Sequence, residues 1–201
     1  VTKICAYAFS DCSNLRKVVI PTNSNLQTIG SYAFSGSIIE EIYFPNSLIE
    51  LKKGWCNNIR DLKKIVISPS NNQFMFKDDK YLVGKSDRNK DEFDILLFVR
   101  RDIKDFSIPP NITKICENAF SDCSNLKKVE IPINSNLQTI ESYVFSKSSV
   151  EEISIPLSVT KICAYAFFNS RLRKVEFSTN SNLQTIERSA FSNLTIEEIS
   201  I

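Results

Sequence analysis

ICAYAFSDCSNLRKVVIP, residues 4–21, returns almost unchanged as ICENAFSDCSNLKKVEIP, residues 115–132, and this pair decides the fold. The correspondence extends outward from it. Residues 1–44 reappear as residues 112–155 at a constant displacement of 111 positions. Within each copy a finer period of 22 to 25 residues is set by Ala8-Phe9, Ala33-Phe34, Ala119-Phe120, Val144-Phe145, Ala166-Phe167 and Ala190-Phe191. A fixed period of this length marks a repeat architecture, in which no unit can bury its own apolar side and stacking supplies the core.

Aligned on the phenylalanine, each unit carries an apolar pattern L-x-x-I-x-I. The copies are Leu15-Val18-Ile20, Ile39-Ile42-Phe44, Leu62-Ile65-Ile67, Ile103-Phe106-Ile108, Leu126-Val129-Ile131, Val150-Ile153-Ile155, Leu172-Val175-Phe177 and Ile196-Ile199-Ile201. Alternation at the end of the pattern predicts eight half-buried parallel strands, and Pro21, Pro45, Pro109, Pro132 and Pro156 terminate five of them. A second apolar pair follows, as in Leu26-Ile29, Leu137-Ile140 and Leu183-Ile186, and the Ala-Phe segment is then expected to form one or two helical turns.

The spacing lengthens once, between Ser68 and Asp105, where 41 residues separate Ile67 from Ile108. The apolar stretches Tyr81-Leu82-Val83 and Ile95-Leu96-Leu97-Phe98-Val99 flank a polar turn at residues 84–90, which reads as a β-hairpin projecting from the stack with Phe74, Met75 and Phe76 packed beneath it. The organisation expected is one domain over residues 1–201, with residues 68–105 as an insertion. Val1 opens inside a repeat and Ile201 closes at a strand end, the pattern expected of a piece of a longer chain.

The line I-x-x-x-A-F-x-x-C-x-x-L-x-x-V-x-I-P resembles the BspA-type leucine-rich repeat, and the insertion is similar to that family's hairpin segment through Asn72, Phe74, Asp79 and Leu82. The resemblance covers almost the whole chain. In one coil Trp55-Cys56 stands in place of Ala-Phe, and the cysteine position becomes Ile59. The resemblance implies an α/β fold: a right-handed leucine-rich-repeat solenoid with a parallel β-sheet on the concave face, short helical turns on the other side and one inserted β-hairpin. It also implies display at the surface of a bacterium or parasitic protist, or secretion, and adhesion to a host or extracellular-matrix protein.

Composition narrows the function classes. Twenty-five basic and 23 acidic side chains leave a net charge of +2, which gives no field to attract nucleic acid or an anionic membrane. The chain has no histidine, which removes the usual general base and the commonest metal ligand. Four glycines form no phosphate loop, and no apolar run is long enough for direct membrane insertion. Carboxylates recur with the repeat, as surface patterning requires and a singular active site does not. No enzymatic activity, metal or cofactor is expected, and the partner is expected to be another protein.

Residues at the x positions carry the charge. Successive coils present Arg16-Lys17, Glu40-Glu41, Lys63-Lys64, Lys104-Asp105, Lys127-Lys128, Glu151-Glu152, Arg173-Lys174 and Glu197-Glu198. Basic coils therefore sit beside acidic ones, either as a ladder that pins stacking register or as a binding surface. The second reading nominates Lys17, Glu41, Tyr43, Lys64, Lys128, Glu130, Glu152, Lys174, Glu176 and Glu198, with Tyr43 the lone aromatic. Striped charge argues against capture of a polyanion, which would want one sign along the groove. A second candidate surface is the hairpin, through Lys85, Arg88 and Lys90, with Arg100 and Arg101 nearby.

Cys12 and Cys123 share a slot expected to face inward as small buried thiols. Cys5, Cys116 and Cys163 share another slot, too far apart along the stack for disulfides, although bridges from Cys5 to Cys12 and from Cys116 to Cys123 are open within a coil. Asn111 and Asn193 head N-x-T glycosylation triplets. Three functions stay open: a surface adhesion module, an intracellular scaffold for protein–protein interaction with a cytoplasmic location, and a structural spacer.

Overall fold

The computed structural model describes residues 1–196 and 198–200. Its strands fall into two sets, each contributing one strand per coil. The first set occupies the alternating patterns: β2 (Lys17–Val18), β4 (Glu41–Phe44), β6 (Lys64–Ile67), β10 (Asp105–Ser107), β12 (Lys128–Glu130), β14 (Glu152–Ile155), β16 (Lys174–Phe177) and β18 (Glu198–Ser200). All pair in parallel, in the orders β2-β4-β6 and β10-β12-β14-β16-β18. Of the eighth pattern, Glu197 and Ile201 lie outside the described residues.

The second apolar pair of each repeat forms its own parallel ladder of two-residue strands. One sheet joins β1 (Lys3–Ile4), β3 (Thr28–Ile29) and β5 (Glu50–Leu51); another joins β11 (Lys114–Ile115), β13 (Thr139–Ile140), β15 (Lys161–Ile162) and β17 (Thr185–Ile186). Isoleucine matches isoleucine through these ladders, as in Ile4↔Ile29, Ile115↔Ile140 and Ile162↔Ile186. Prolines turn the chain between the two ladders: the Pro45 carbonyl accepts from Leu48 N–H at 3.1 Å and the Pro156 carbonyl from Val159 N–H at 3.1 Å.

The expected helical turns are absent: among the described residues the Ala-Phe segment forms no helix. Backbone angle and hydrogen bonding explain why. Tyr7, Tyr32, Asn118, Tyr143, Tyr165 and Ser189, each just before the apolar pair, have φ between 55° and 63°, a left-handed geometry that a right-handed helix cannot contain. The N–H groups then alternate between a local turn and the next coil. Ala8 N–H returns to the Cys5 carbonyl at 3.3 Å, Phe9 N–H reaches Ala33 at 2.8 Å, Ser10 N–H returns to Tyr7 at 3.1 Å, and Asp11 N–H reaches Ser35 at 2.6 Å. Every second donor is thus spent on stacking, so the segment is a third inter-coil ladder. It aligns the rings: Phe120, Phe145, Phe167 and Phe191 stack at 4.9, 5.1 and 5.0 Å, each pair adding about 1 kcal/mol beyond area burial.

The insertion also differs from a projecting hairpin. The pairing of β8 (Tyr81–Gly84) with β9 (Ile95–Val99) is antiparallel, but Phe74–Lys77 forms a further antiparallel strand, β7, in place of a layer beneath. On its other edge β9 pairs in parallel with β11, so the meander is built into the second ladder. Both faces are apolar and both are covered. Phe74, Leu82, Leu97 and Phe98 join the core of the preceding coils, whereas Val83, Leu96 and Val99 join that of the following ones. The insertion is a partition between two stacks.

Candidate functional site

The outward face of the first ladder carries the sequence-nominated residues in register. Lys17 stands opposite Glu41 and Glu41 opposite Lys64; beyond the partition, Asp105, Lys128, Glu152, Lys174 and Glu198 follow one another as neighbours on successive strands. Lys17, Lys64, Lys128, Glu130, Glu152, Lys174 and Glu176 are exposed, and Glu41 and Tyr43 are half-buried. The backbone of Glu198 extends the ladder.

Charge pairing crosses the coils in both halves. Arg16 Nη1 lies 2.9 Å from Glu40, Lys64 Nζ 3.1 Å from Glu41 and Lys127 Nζ 3.1 Å from Glu151. Within a strand, Lys174 Nζ donates to Glu176 at 2.6 Å. The hydrogen bond from Lys127 holds the Glu151 carboxyl below its ordinary range, and that from Lys174 does the same for Glu176. Such exposed pairs set register more than they add stability.

The nominated residues do not form one surface. Lys128, Glu130, Glu152, Lys174 and Glu176 converge on a shallow cleft of about 350 Å³ across β12, β14 and β16, with Lys127, Glu151 and Ser154 on its walls. Lys17, Glu41, Tyr43 and Lys64 lie on the separate three-stranded sheet. There Tyr43 pairs with Val66 and packs partly against the core, so its ring is not a free anchor.

The three hairpin cations do not converge either. Lys90 Nζ is held by Asp94 at 2.7 Å and the Ser86 hydroxyl at 3.0 Å, and Lys85 Nζ sits 5.4 Å from the centre of the Phe93 ring. Asp94 also accepts from Ser86 N–H at 2.7 Å, which makes Lys90 part of a turn-closing network. Arg88 is left exposed at the tip. Of the two glycosylation triplets, Asn111 donates its side-chain amide to the Phe93 carbonyl at 2.9 Å, whereas Asn193 is exposed at a left-handed turn.

All six cysteines are free. Cys123 is fully buried as expected, whereas Cys12, in the same slot, is exposed. Burial pushes the thiols of Cys56 and Cys163 up to about 11 and that of Cys116 up to about 12. A tyrosine column went unnominated: Tyr7 and Tyr32 stack at 5.3 Å, Tyr143 and Tyr165 at 5.1 Å, and the Tyr32 hydroxyl donates to the Glu117 carboxylate. Its signal was the tyrosine that recurs directly before the Ala-Phe or Val-Phe pair.

The fold is that of solved bacterial leucine-rich repeat proteins. A leucine-rich repeat protein from Eubacterium ventriosum superposes with a TM-score of 0.71 at 19% identity, covering 98% of this chain and 69% of that one. The pneumococcal vaccine antigen PcpA gives 0.71 at 17% identity, over 89% of this chain and 50% of that one. A leucine rich cell surface protein from Faecalibacterium prausnitzii gives 0.66 at 20% identity, over 92% and 61%. No curated protein matches the sequence. No helix among the described residues is long and apolar enough to cross a membrane. The model of the BspA type leucine rich repeat region matches in six copies over residues 1–79 and 94–201. Stacked repeats of this kind offer extended surfaces for binding proteins, and the chain belongs to the BspA-type leucine-rich repeat family.

Proposed function

We propose that this chain is a protein-binding repeat module displayed at the cell surface, where it adheres to a host or matrix protein. The observation that carries the reading is the cleft across β12, β14 and β16, where Lys128, Glu152 and Lys174 present alternating charge from three successive strands. A flat polar sheet with fixed charge register selects a partner whose charges alternate in the same spacing and rejects one of a single sign. The similarity to a protein described as a cell surface protein supports the location. The six free thiols favour a second reading, an intracellular scaffold.

Labelling of intact, non-permeabilised cells with an antibody to the turn at residues 85–91 separates the two. Surface staining is expected, together with binding of the chain to immobilised matrix protein that falls about tenfold when Glu152→Lys and Lys174→Glu are combined. Staining only after permeabilisation overturns the adhesion reading and leaves the scaffold.

A further inference from the structure

Arg101 is 5% exposed, and among the described residues no carboxylate forms an ion pair with it. Its Nη1 donates to the carbonyls of Ala119 at 2.6 Å and Val99 at 3.2 Å, and its Nη2 to that of Asn118 at 3.0 Å. The guanidinium lies 4.7 Å from the Phe98 ring centre, with the sulfurs of Cys123 and Cys56 each 3.7 Å away. Its Nε has no partner. Carbonyl dipoles and a ring satisfy donors but leave a full positive charge inside the protein, an arrangement costly until an anion approaches.

Above Arg101 the flank of the stack opens into a cleft of about 580 Å³. Ser148, 1% exposed and with a hydroxyl that has no partner, shares its floor with Arg101. Exposed Arg60, Lys63, Lys147 and Arg171 stand around it. Three carboxylates line it as well: Asp122 already takes Arg60 at 3.3 Å, Asp102 takes Arg100 at 2.6 Å, and Asp61 is exposed. Five cations against three carboxylates leave an excess of two positive charges, and the apolar core behind Arg101 focuses that field outward.

We infer that this flank cleft is a binding site for an oxyanion, a sulfate, phosphate or carboxylate group carried by a ligand. Lys147 and Arg171 contact it directly, and Arg101 supplies charge from the floor without leaving its carbonyl partners. The site is distinct from the sheet face and does not depend on the adhesion reading.

The test is an NMR titration of the whole ¹⁵N-labelled chain with sodium sulfate, inorganic phosphate and sodium acetate, ionic strength being held constant with sodium chloride. Saturable displacement of the Arg101 Nε–H and Ser148 amide signals is expected. The double variant Lys147→Asn, Arg171→Gln should weaken binding about tenfold; asparagine is chosen because it tolerates the left-handed backbone at position 147, φ 57°. Lys3→Gln, an exposed cation on β1 outside the cleft, should leave the titration unchanged. Tighter binding of sulfate and phosphate than of acetate assigns a tetrahedral group, tighter binding of acetate assigns a carboxylate, and equal binding supports a site for any oxyanion. Shifts that chloride alone reproduces, or identical curves for the double variant and the parent, overturn the site.

Discussion

Residues 1–44 and 112–155 are near-copies in sequence and unequal in structure. Phe9 is 41% exposed while Phe120, its counterpart, is completely buried; Leu15 is half-buried and Leu126 completely so. Within each of these two pairs the side chain is the same. Phe120 lies between the rings of Phe106 at 5.3 Å and Phe145 at 4.9 Å, whereas Phe9 has Phe34 alone, at 5.5 Å. The repeat pattern sets the direction in which each side chain points, and the adjoining coils set how much free energy that direction is worth.

The widest expected difference between the copies is chemical. In the 201-residue chain a thiol reagent should modify Cys12 at the rate of an open cysteine, while Cys123 must wait for its coil to open. Burial also raises the Cys123 thiol, although Arg101 opposes that rise. Opening a coil flanked on both sides slows labelling by roughly a thousandfold or more. Mass spectrometry of the native chain after brief exposure reads both sites at once, and equal modification would break the comparison. Truncation of the rings comes next. Phe120→Ala should cost about 4 kcal/mol and Phe9→Ala about 1, measured by urea unfolding, because only the first leaves a closed cavity. Equal losses would mean that the rings contribute through their own coil and not through stacking.

Sequence periodicity exposes some of this and hides the rest for identifiable reasons. The first ladder was legible because two alternating apolar positions, repeated from coil to coil, suffice to fix a face, and its charges fall in register as expected. The second ladder was not, because a two-residue strand such as Thr28–Ile29 has no room to alternate. The Ala-Phe segment was misread as helical because two adjacent apolar residues fit a helix as well as a turn. The feature that excludes a helix is a positive φ at tyrosine, a residue with no special tendency to adopt it. The hairpin was legible from its polar turn, but β7 was missed: Asp78 and Asp79, with φ of 53° and 50°, make the tight turn without the Asn-Gly or Asp-Gly that announces one. Of the candidate sites, the stripe of alternating charge was visible in one dimension. The flank cleft was not, since the insertion carries Arg101 against Ala119 and Cys123 and no period records that meeting.

The smallest expected effect is where the two copies should behave alike. Glu41 and Glu152 occupy equivalent positions 111 residues apart, and each stands between two lysines on neighbouring strands, Lys17 and Lys64 for one, Lys128 and Lys174 for the other. Glu152 is exposed and Glu41 half-buried, and both lie on the outward face of the first ladder, so stacking depth, which separates Phe9 from Phe120, should separate them little. Glu41→Lys and Glu152→Lys each place three like charges in a row and should lower Tm by about 2 °C at low salt. In 1 M sodium chloride the loss should shrink towards zero as the charges are screened. A much larger loss at Glu152 than at Glu41, persisting in salt, would show that the five-stranded sheet depends on its charge register in a way that the three-stranded sheet does not, and would move the ladder from solubility and alignment into the structural core of the repeat.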